Sequence, residues 1–186
     1  MSQPAARINN FWFVKCAEED WFKKDLNFDN AITNQFLNDY DNACKGNYDN
    51  WVNHPKNCLA LIILLDQFSR NMFRDTAKAF SQDKKAQSLA QHAIKQNYFS
   101  NFSSNEIFFS LIPLLHSENI NDHKIAHKNC EKYLKQEANY DQIKQSWDDH
   151  TKAINNFGRY PHRNKILERK STKEEKLFLT QPNSSW

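Results

Sequence analysis

The chain has 186 residues, 39% of them hydrophobic, and a formal net charge of +3. That length can bury one good core and predicts a single domain over residues 1–186. Only two glycines, Gly46 and Gly158, are present, so glycine-rich phosphate loops, dinucleotide fingerprints and series of tight hairpins have nothing to be built from. The charge is small and the lysines are dispersed among acidic residues, which argues against nucleic acid as a partner. No stretch approaches the roughly 20 apolar residues of a membrane span, and the apolar run 11–14 is too short for a signal-peptide core. The expectation is a cytoplasmic protein with no membrane partner.

In chain order, "FDNAITNQFLNDYDNACKG" places Phe28, Ile32, Phe36 and Tyr40 on one helical face and closes at Gly46, a residue suited to a left-handed cap. Pro55 stands where a first helical turn tolerates it. Residues 58–65 are apolar on all sides, which predicts a central helix whose C-terminal end or exit is 66–70. Ser81 with Asp83 predicts the start of a helix with the face Ala86, Leu89, Ala90, Ala93 and Ile94. Ser103 with Glu106 reads as a capping box ahead of "IFFSLIPLLHSE", where Pro113 should kink or break the helix.

A further helix is predicted over about 121–137. Another carries Ile143, Trp147, His150, Ile154 and Phe157 up to Gly158, and Ser171 with Glu174 opens a short last one. No segment of strand period is found. The fold class is therefore all-α: antiparallel helix pairs, seven to eight helices, packed as a bundle or a curved stack. Cys16, Cys44, Cys58 and Cys130 lack paired metal-ligand spacing and read as reduced thiols.

Lysine outnumbers arginine 19 to 6, so surface charge is met by lysine and arginine is used selectively. Four arginines stand in "SRNMFR" and "GRYPHRN": Arg70, Arg74, Arg159 and Arg163, interleaved with aromatics and with Asn71 and Asn164. A planar guanidinium grips carboxylate or phosphate with two parallel bonds, which lysine cannot do. One reading has these arginines bridging helix ends through Asp66, Glu118 and free carbonyls. The other has them converging on one concave face to hold an anionic ligand.

Imidazoles beside carboxylates supply general acids and bases, or ligands in a carboxylate and histidine metal site, so the catalytic candidates are His116, Glu118, His150, His162 and Asp66. Each histidine alone also reads as a satisfied core residue. His123 and His127, four apart with Glu131 a turn on, have a spacing that permits metal binding, but their surroundings read as a solvated flank, and no metal or cofactor is assigned.

The stretches "FWF", "WFKKDLNFD", "LLDQFSRNMFRDTAKAFSQDKKA", "HSE" and "FGRYPHRN", with "STKEE" and the closing "SSW", resemble the largely bacterial family catalogued as domain of unknown function 924. The resemblance runs from about Phe11 to the end and implies an all-helical fold similar to tetratricopeptide repeats, with no settled activity. By matching position, the family's motif residues include Asp66, Gln67, Arg70, Asn71, Phe73, Arg74, Phe80, Asp83, His116, Ser117, Glu118, His150, Gly158, Arg159, Pro161, His162, Arg163 and Asn164. The sequence departs from the family's pattern at Tyr160, usually phenylalanine, Asn119, usually aspartate, and Glu168, where glycine is expected.

These readings combine into a binding module. Asp66, Arg70, Asn71, Arg74, His116, Glu118, Arg159, His162, Arg163 and Asn164 would line one polar pocket for a small anionic molecule or a peptide end. A metal-dependent or acid and base hydrolase using the same pocket, and a scaffold whose polar cluster is purely structural, are the alternatives. The C-terminal "TQPNSSW" pairs an aromatic ring with the α-carboxylate of Trp186; a frayed terminus is the first reading, and docking in a groove of its own chain or of a second copy, which would make a homo-oligomer, is the other.

Overall fold

A computed structural model describes residues 1–185, so the proposed docking of Trp186 lies outside the described residues. Eight helical rods, and no strand among the described residues, make up two compact units, Met1–Pro113 and the remainder from Leu114 on.

In the first unit, α1 (Gln3–Asn10) starts at Ser2, whose hydroxyl accepts from the Ala5 amide, and Pro4 occupies the first turn. It runs into a π-helical turn, Phe11–Lys15. Helix α2 (Leu26–Cys44) is capped by the Asp25 carboxylate, which accepts from the amides of Asn27 and Phe28. Its buried face is Ile32, Phe36 and Tyr40, as the four-residue spacing predicts, and Gly46 (φ +83°) lies just past its end.

Rod α3 is composite: α-helical over Pro55–Ile62, π-helical over Ile63–Phe68 and α-helical again over Ser69–Met72. Residues 66–70 thus form the C-terminal end of the rod, which stops at Met72. The helix continues through Asp66, which is fully buried, and the π-helical turns re-aim the polar side chains without ending the rod. Residues Cys58 to Leu65 are indeed wholly inside.

Around α3 pack α1, α2 and α4 (Asp83–Lys95), the last presenting Ala86, Ala90 and Ala93, small residues that permit close approach. Ser81 does not cap α4. Its hydroxyl turns back to the Lys78 carbonyl and meets the Tyr40 hydroxyl, because a short 3-10 turn (Ala77–Phe80) precedes the helix. Helix α5 (Ser104–Leu115) opens with the predicted reciprocal box, the Ser103 amide on Glu106 and the Glu106 amide on Ser103. Pro113 ends it within a turn, and the division between units falls there.

Phe11, Trp12, Phe36, Phe68 and Phe109 form the aromatic centre of this unit, with ring centroids 4.8 Å apart for Phe36 and Phe68 and 5.3 Å for Trp12 and Phe109. The Trp12 and Phe109 rings meet edge to face and those of Phe36 and Phe68 are tilted, contacts that add to the burial of large rings.

In the second unit, α6 (Ile120–Leu134) is capped by Asn119, whose side chain accepts from the Asn121 amide, so the family's aspartate is replaced without losing the cap. Helix α7 (Tyr140–Phe157) ends at Gly158 in the left-handed conformation, φ +66°. Contacts of residue 123 with 151 and of 127 with 147 and 148 show that α6 and α7 run antiparallel.

A 3-10 turn (Pro161–Arg163) leads to α8 (Lys173–Phe178), whose capping box is Thr172 with Glu175, one residue beyond the predicted pair. Ala153, Ile154, Tyr160 and Phe178 form the core here, with Ile120 and Phe157 packed against it. Glu168 adopts φ +54°, so the turn keeps the conformation that a glycine would hold without strain.

Candidate functional site

The predicted site residues fall into two sets, one per unit. In the first unit the composite rod α3 carries Asp66, Arg70 and Asn71, and the turn that follows it carries Arg74. Arg74 clamps the Asp29 carboxylate of α2 with two bonds, Nε at 2.6 Å and Nη2 at 2.7 Å, and Asn71 donates to the same carboxylate at 2.8 Å. The Asp29 contact holds the Arg74 guanidinium above its ordinary pKa.

Arg70 donates to the Ala79 carbonyl and, at 2.7 Å, to Asp83 at the start of α4, with Asp66 3.8 Å away, and it lies over the Phe80 ring at 4.7 Å. Gln67 donates to Asp66, and Ser69 to the carbonyls of Asp66 and Ala79. These are cross-links within one unit: α3 and the turn after it to α2 through Asn71 and Arg74, α3 to α4 through Arg70.

In the second unit two further forks occur. Arg159 grips Glu175 with Nε at 2.6 Å and Nη2 at 2.9 Å, and the same carboxylate accepts from Asn164 at 3.1 Å and from the Thr172 amide at 2.8 Å. The Arg159 contact leads the causes that push Glu175 down to about 2, against the opposing effect of burial. Glu118 is gripped by Arg169, at 2.7 and 2.9 Å, and accepts from the Tyr160 amide at 2.8 Å. Burial alone would raise the Glu118 pKa, but Arg169, the Tyr160 amide and the charge of Arg163 together bring it below the usual range.

Tyr160 is the centre of what remains. Its hydroxyl, absent from the usual phenylalanine, donates to the Leu115 carbonyl, so this departure from the family's pattern is satisfied in full. Arg163 stacks on the ring at 4.6 Å and donates to the His116 carbonyl at 3.0 Å. His162 and His150 approach the same ring, with centroids 5.3 and 6.2 Å away.

The Nδ1 of His150 lies 2.7 Å from the Ser146 carbonyl, an oxygen that only accepts, so Nδ1 carries the hydrogen of the neutral ring and Nε2 the lone pair. Burial pushes the His150 pKa down to about 3; positive charge on His116, His123 and Arg163 acts the same way, and the Ser146 carbonyl opposes.

His123 is not on a solvated flank. It is fully buried, and both it and His127 contact Thr151, while Glu131 pairs with Lys135. The spacing that would permit a metal on His123, His127 and Glu131 is thus spent on helix packing. Among the described residues no three histidine, cysteine or carboxylate side chains are grouped to hold a metal ion, and no helix is long and apolar enough to cross a membrane.

Sequence reasoning missed Asp29, Glu175 and Arg169 as the partners of these motifs. The Thr172 to Glu175 spacing was a readable capping signal for one of them; the Asp29 to Arg74 and Glu118 to Arg169 pairs join residues 45 and 51 positions apart, which no local pattern announces.

No curated protein matches the chain. A solved structure does: the protein of unknown function ATU0120 from Agrobacterium tumefaciens, 34% identical, with a TM-score of 0.84 over 94% of this chain and 96% of that one. The family model described as "Bacterial protein of unknown function (DUF924)" matches residues 8–183. With nearly its whole length accounted for by that model, the chain belongs to the DUF924 family.

Proposed function

We propose that the second unit is a binding module for a small anion, a carboxylate or phosphate, held by His116, His150, His162 and Arg163 around the Tyr160 ring. The carrying observation is the geometry of this cluster: the Arg163 guanidinium lies over the Tyr160 ring, the His162 and His150 rings flank it, and burial first, then neighbouring positive charge, keeps His150 unprotonated. An anion seated among them would offset that charge, draw a proton onto the imidazole and gain a charge-assisted donor. The forks Arg70, Arg74 and Arg159, with Asn71 and Asn164, then serve as packing devices that hold the module. The antiparallel pair α6 and α7 is the local unit from which a tetratricopeptide-like stack would be assembled.

Calorimetric titration of the full chain with inorganic phosphate and with acetate, at pH 7.5 and 6.0, tests this reading. The expected result is one anion per chain, bound more tightly at pH 6.0 with measurable proton uptake. His162→Ala should lose that binding at an unchanged melting temperature. No heat at millimolar anion at either pH would overturn the proposal and leave the polar clusters a purely structural role.

One observation favours a second reading. A neutral His150 with its tautomer fixed by Ser146 is the form of imidazole that accepts a proton from a substrate. Turnover of a carboxylic or phosphoric ester, lost in His150→Asn while anion binding survives, would replace the binding module with an acid and base hydrolase.

A further inference from the structure

Two contacts across the α6 and α7 pair and one within α7 converge on one hydroxyl. Thr151 Oγ1 lies 2.9 Å from His123 Nδ1, 2.8 Å from His127 Nε2 and 2.9 Å from the Trp147 carbonyl. The other nitrogen of His123, Nε2, lies 2.9 Å from the Ser117 carbonyl. His127 Nδ1 faces the Asp148 carboxylate at 3.9 Å. His123 is fully buried and Ser117 nearly so, whereas the side chains of His127 and Asp148 are 27% and 44% exposed. The row therefore runs from solvent to the interior.

We propose that His127, Thr151 and His123 form a proton-linked relay from the solvent edge of α6 to the Ser117 carbonyl, with the Thr151 hydroxyl as its switching donor.

The donor and acceptor rules leave few arrangements. A carbonyl only accepts, so His123 Nε2 always carries a hydrogen, and in the neutral ring Nδ1 is a lone pair. That lone pair takes the Thr151 hydroxyl hydrogen. The hydroxyl oxygen then accepts from His127, which fixes the neutral His127 ring as its Nε2–H tautomer. A proton arriving from solvent adds to His127 Nδ1 and meets Asp148; no hydrogen changes partner, and the new charge strengthens the Nε2–H bond to Thr151 and, through that hydroxyl, its bond to His123. A second proton, on His123 Nδ1, would require the Thr151 hydroxyl to rotate toward the Trp147 carbonyl, where an acceptor already stands.

The groups around the relay favour this order. His127 faces Asp148, which favours its charge, along with Lys144, which opposes it, and the Trp147 ring. Burial is the first cause lowering the pKa of either imidazole. His123 also meets repulsion from His127 and His116, offset in part by Asp122 and the Ser117 carbonyl, and its ring lies 6.3 Å from that of Tyr160. His127 thus takes the first proton, and the change is felt at Ser117 through the bonds it shares with His123. Ser117 in turn holds Asp122 through its hydroxyl at 2.6 Å and accepts the Asn119 amide at 3.1 Å, so the whole turn carrying His116 and Glu118 hangs on the relay.

Imidazole nitrogen spectra of the full chain, recorded from pH 7.5 to 5.5, decide the matter. Both His123 and His127 should be Nε2–H tautomers at pH 7.5, and the Ser117 carbonyl resonance should follow the His127 midpoint. Thr151→Val should convert neutral His127 to its Nδ1–H form, now paired with Asp148, and lower its midpoint by about half a pH unit, because the protonated ring loses the acceptor for Nε2–H. His123 should keep its tautomer. Thr151→Ser should behave as wild type. An Nδ1–H tautomer for His127 in the wild-type chain overturns the relay without any variant, so a valine variant that failed to fold would not block the test. A serine variant that shifts as valine does would overturn it too, by tracing the effect to the lost methyl group.

Discussion

Replacing Asp29 by asparagine tests whether the guanidinium of "SRNMFR" is a packing cross-link. Asp29 is 6% exposed and accepts all three of its bonds from α3 and the segment following it, two from Arg74 and one from Asn71. Asparagine keeps the shape, removes the charge and turns one acceptor into a donor facing the Arg74 fork. Removing one partner of a fully buried pair costs about 3–5 kcal/mol, and exposed pairs contribute about 1 kcal/mol or less. Arg74 is 26% exposed at its side chain, so part of its guanidinium regains water. The expected loss is therefore intermediate, about 2 kcal/mol, or about 4–8 °C in the melting midpoint for a chain of this size. Urea denaturation of Asp29→Asn, Arg74→Met and the double variant gives the coupling directly, with about 1.5 kcal/mol expected between the two sites. Additive single effects, or a loss below about 0.5 kcal/mol for Asp29→Asn, would refute the cross-link and return Arg74 to the set of ligand-binding candidates.

Acid should act on the second unit in two windows. His123, His127 and His150 have folded values below the unfolded 6.5, so their contribution is complete above about pH 6.5 and is lost as pH falls. For His150, near 3 when folded, the loss reaches about 1.4 kcal/mol by pH 5.5, readable as a shift in urea midpoint between pH 7.5 and 5.5. Glu118 and Glu175, also depressed, contribute above their unfolded value of 4.5 and lose stability only below it, Glu175 down to about 2, so a second drop should follow in stronger acid. Glu168→Gly should stabilise the chain by about 0.5 kcal/mol by relieving the φ of +54°, and a lower melting temperature would show that the turn is not strained. Leu64→Ala, in the fully buried part of α3, should cost about 2–5 kcal/mol by denaturant titration.

The helices were legible because their signals are local. Phe28 to Tyr40 at steps of four, the Ser103 box and Gly158 each act within one or two turns, and each lies where its pattern implies. The polar end of α3 is legible as an end but not as a buried one. A buried aspartate is costly unless it is bonded, so a polar run after an apolar one suggests a helix end. Here Gln67 and Arg70 satisfy Asp66 from the same rod, and the π-helical turns bring them within reach. The short run 11–14 was equally opaque. Phe11 and Trp12 are core residues because rings from α2, α3 and α5 meet them, a fact of tertiary packing.

The arginine count separates the two kinds of charge in this chain. Lysines such as Lys135 and Lys144 pair one turn away on exposed helix faces, where such contacts contribute little. Arg74, Arg159 and Arg169 each make a two-bond grip on a carboxylate brought from elsewhere in the same unit. Selective use of arginine was therefore a sound sign of selective geometry, and the geometry it selects is internal. A ligand held by these three forks would have to displace Asp29, Glu175 or Glu118. Arg163 differs from them in geometry: it donates to the His116 backbone carbonyl and lies over the Tyr160 ring. The proposed anion site is centred on that stack, where the His162 and His150 rings lie beside the Tyr160 ring.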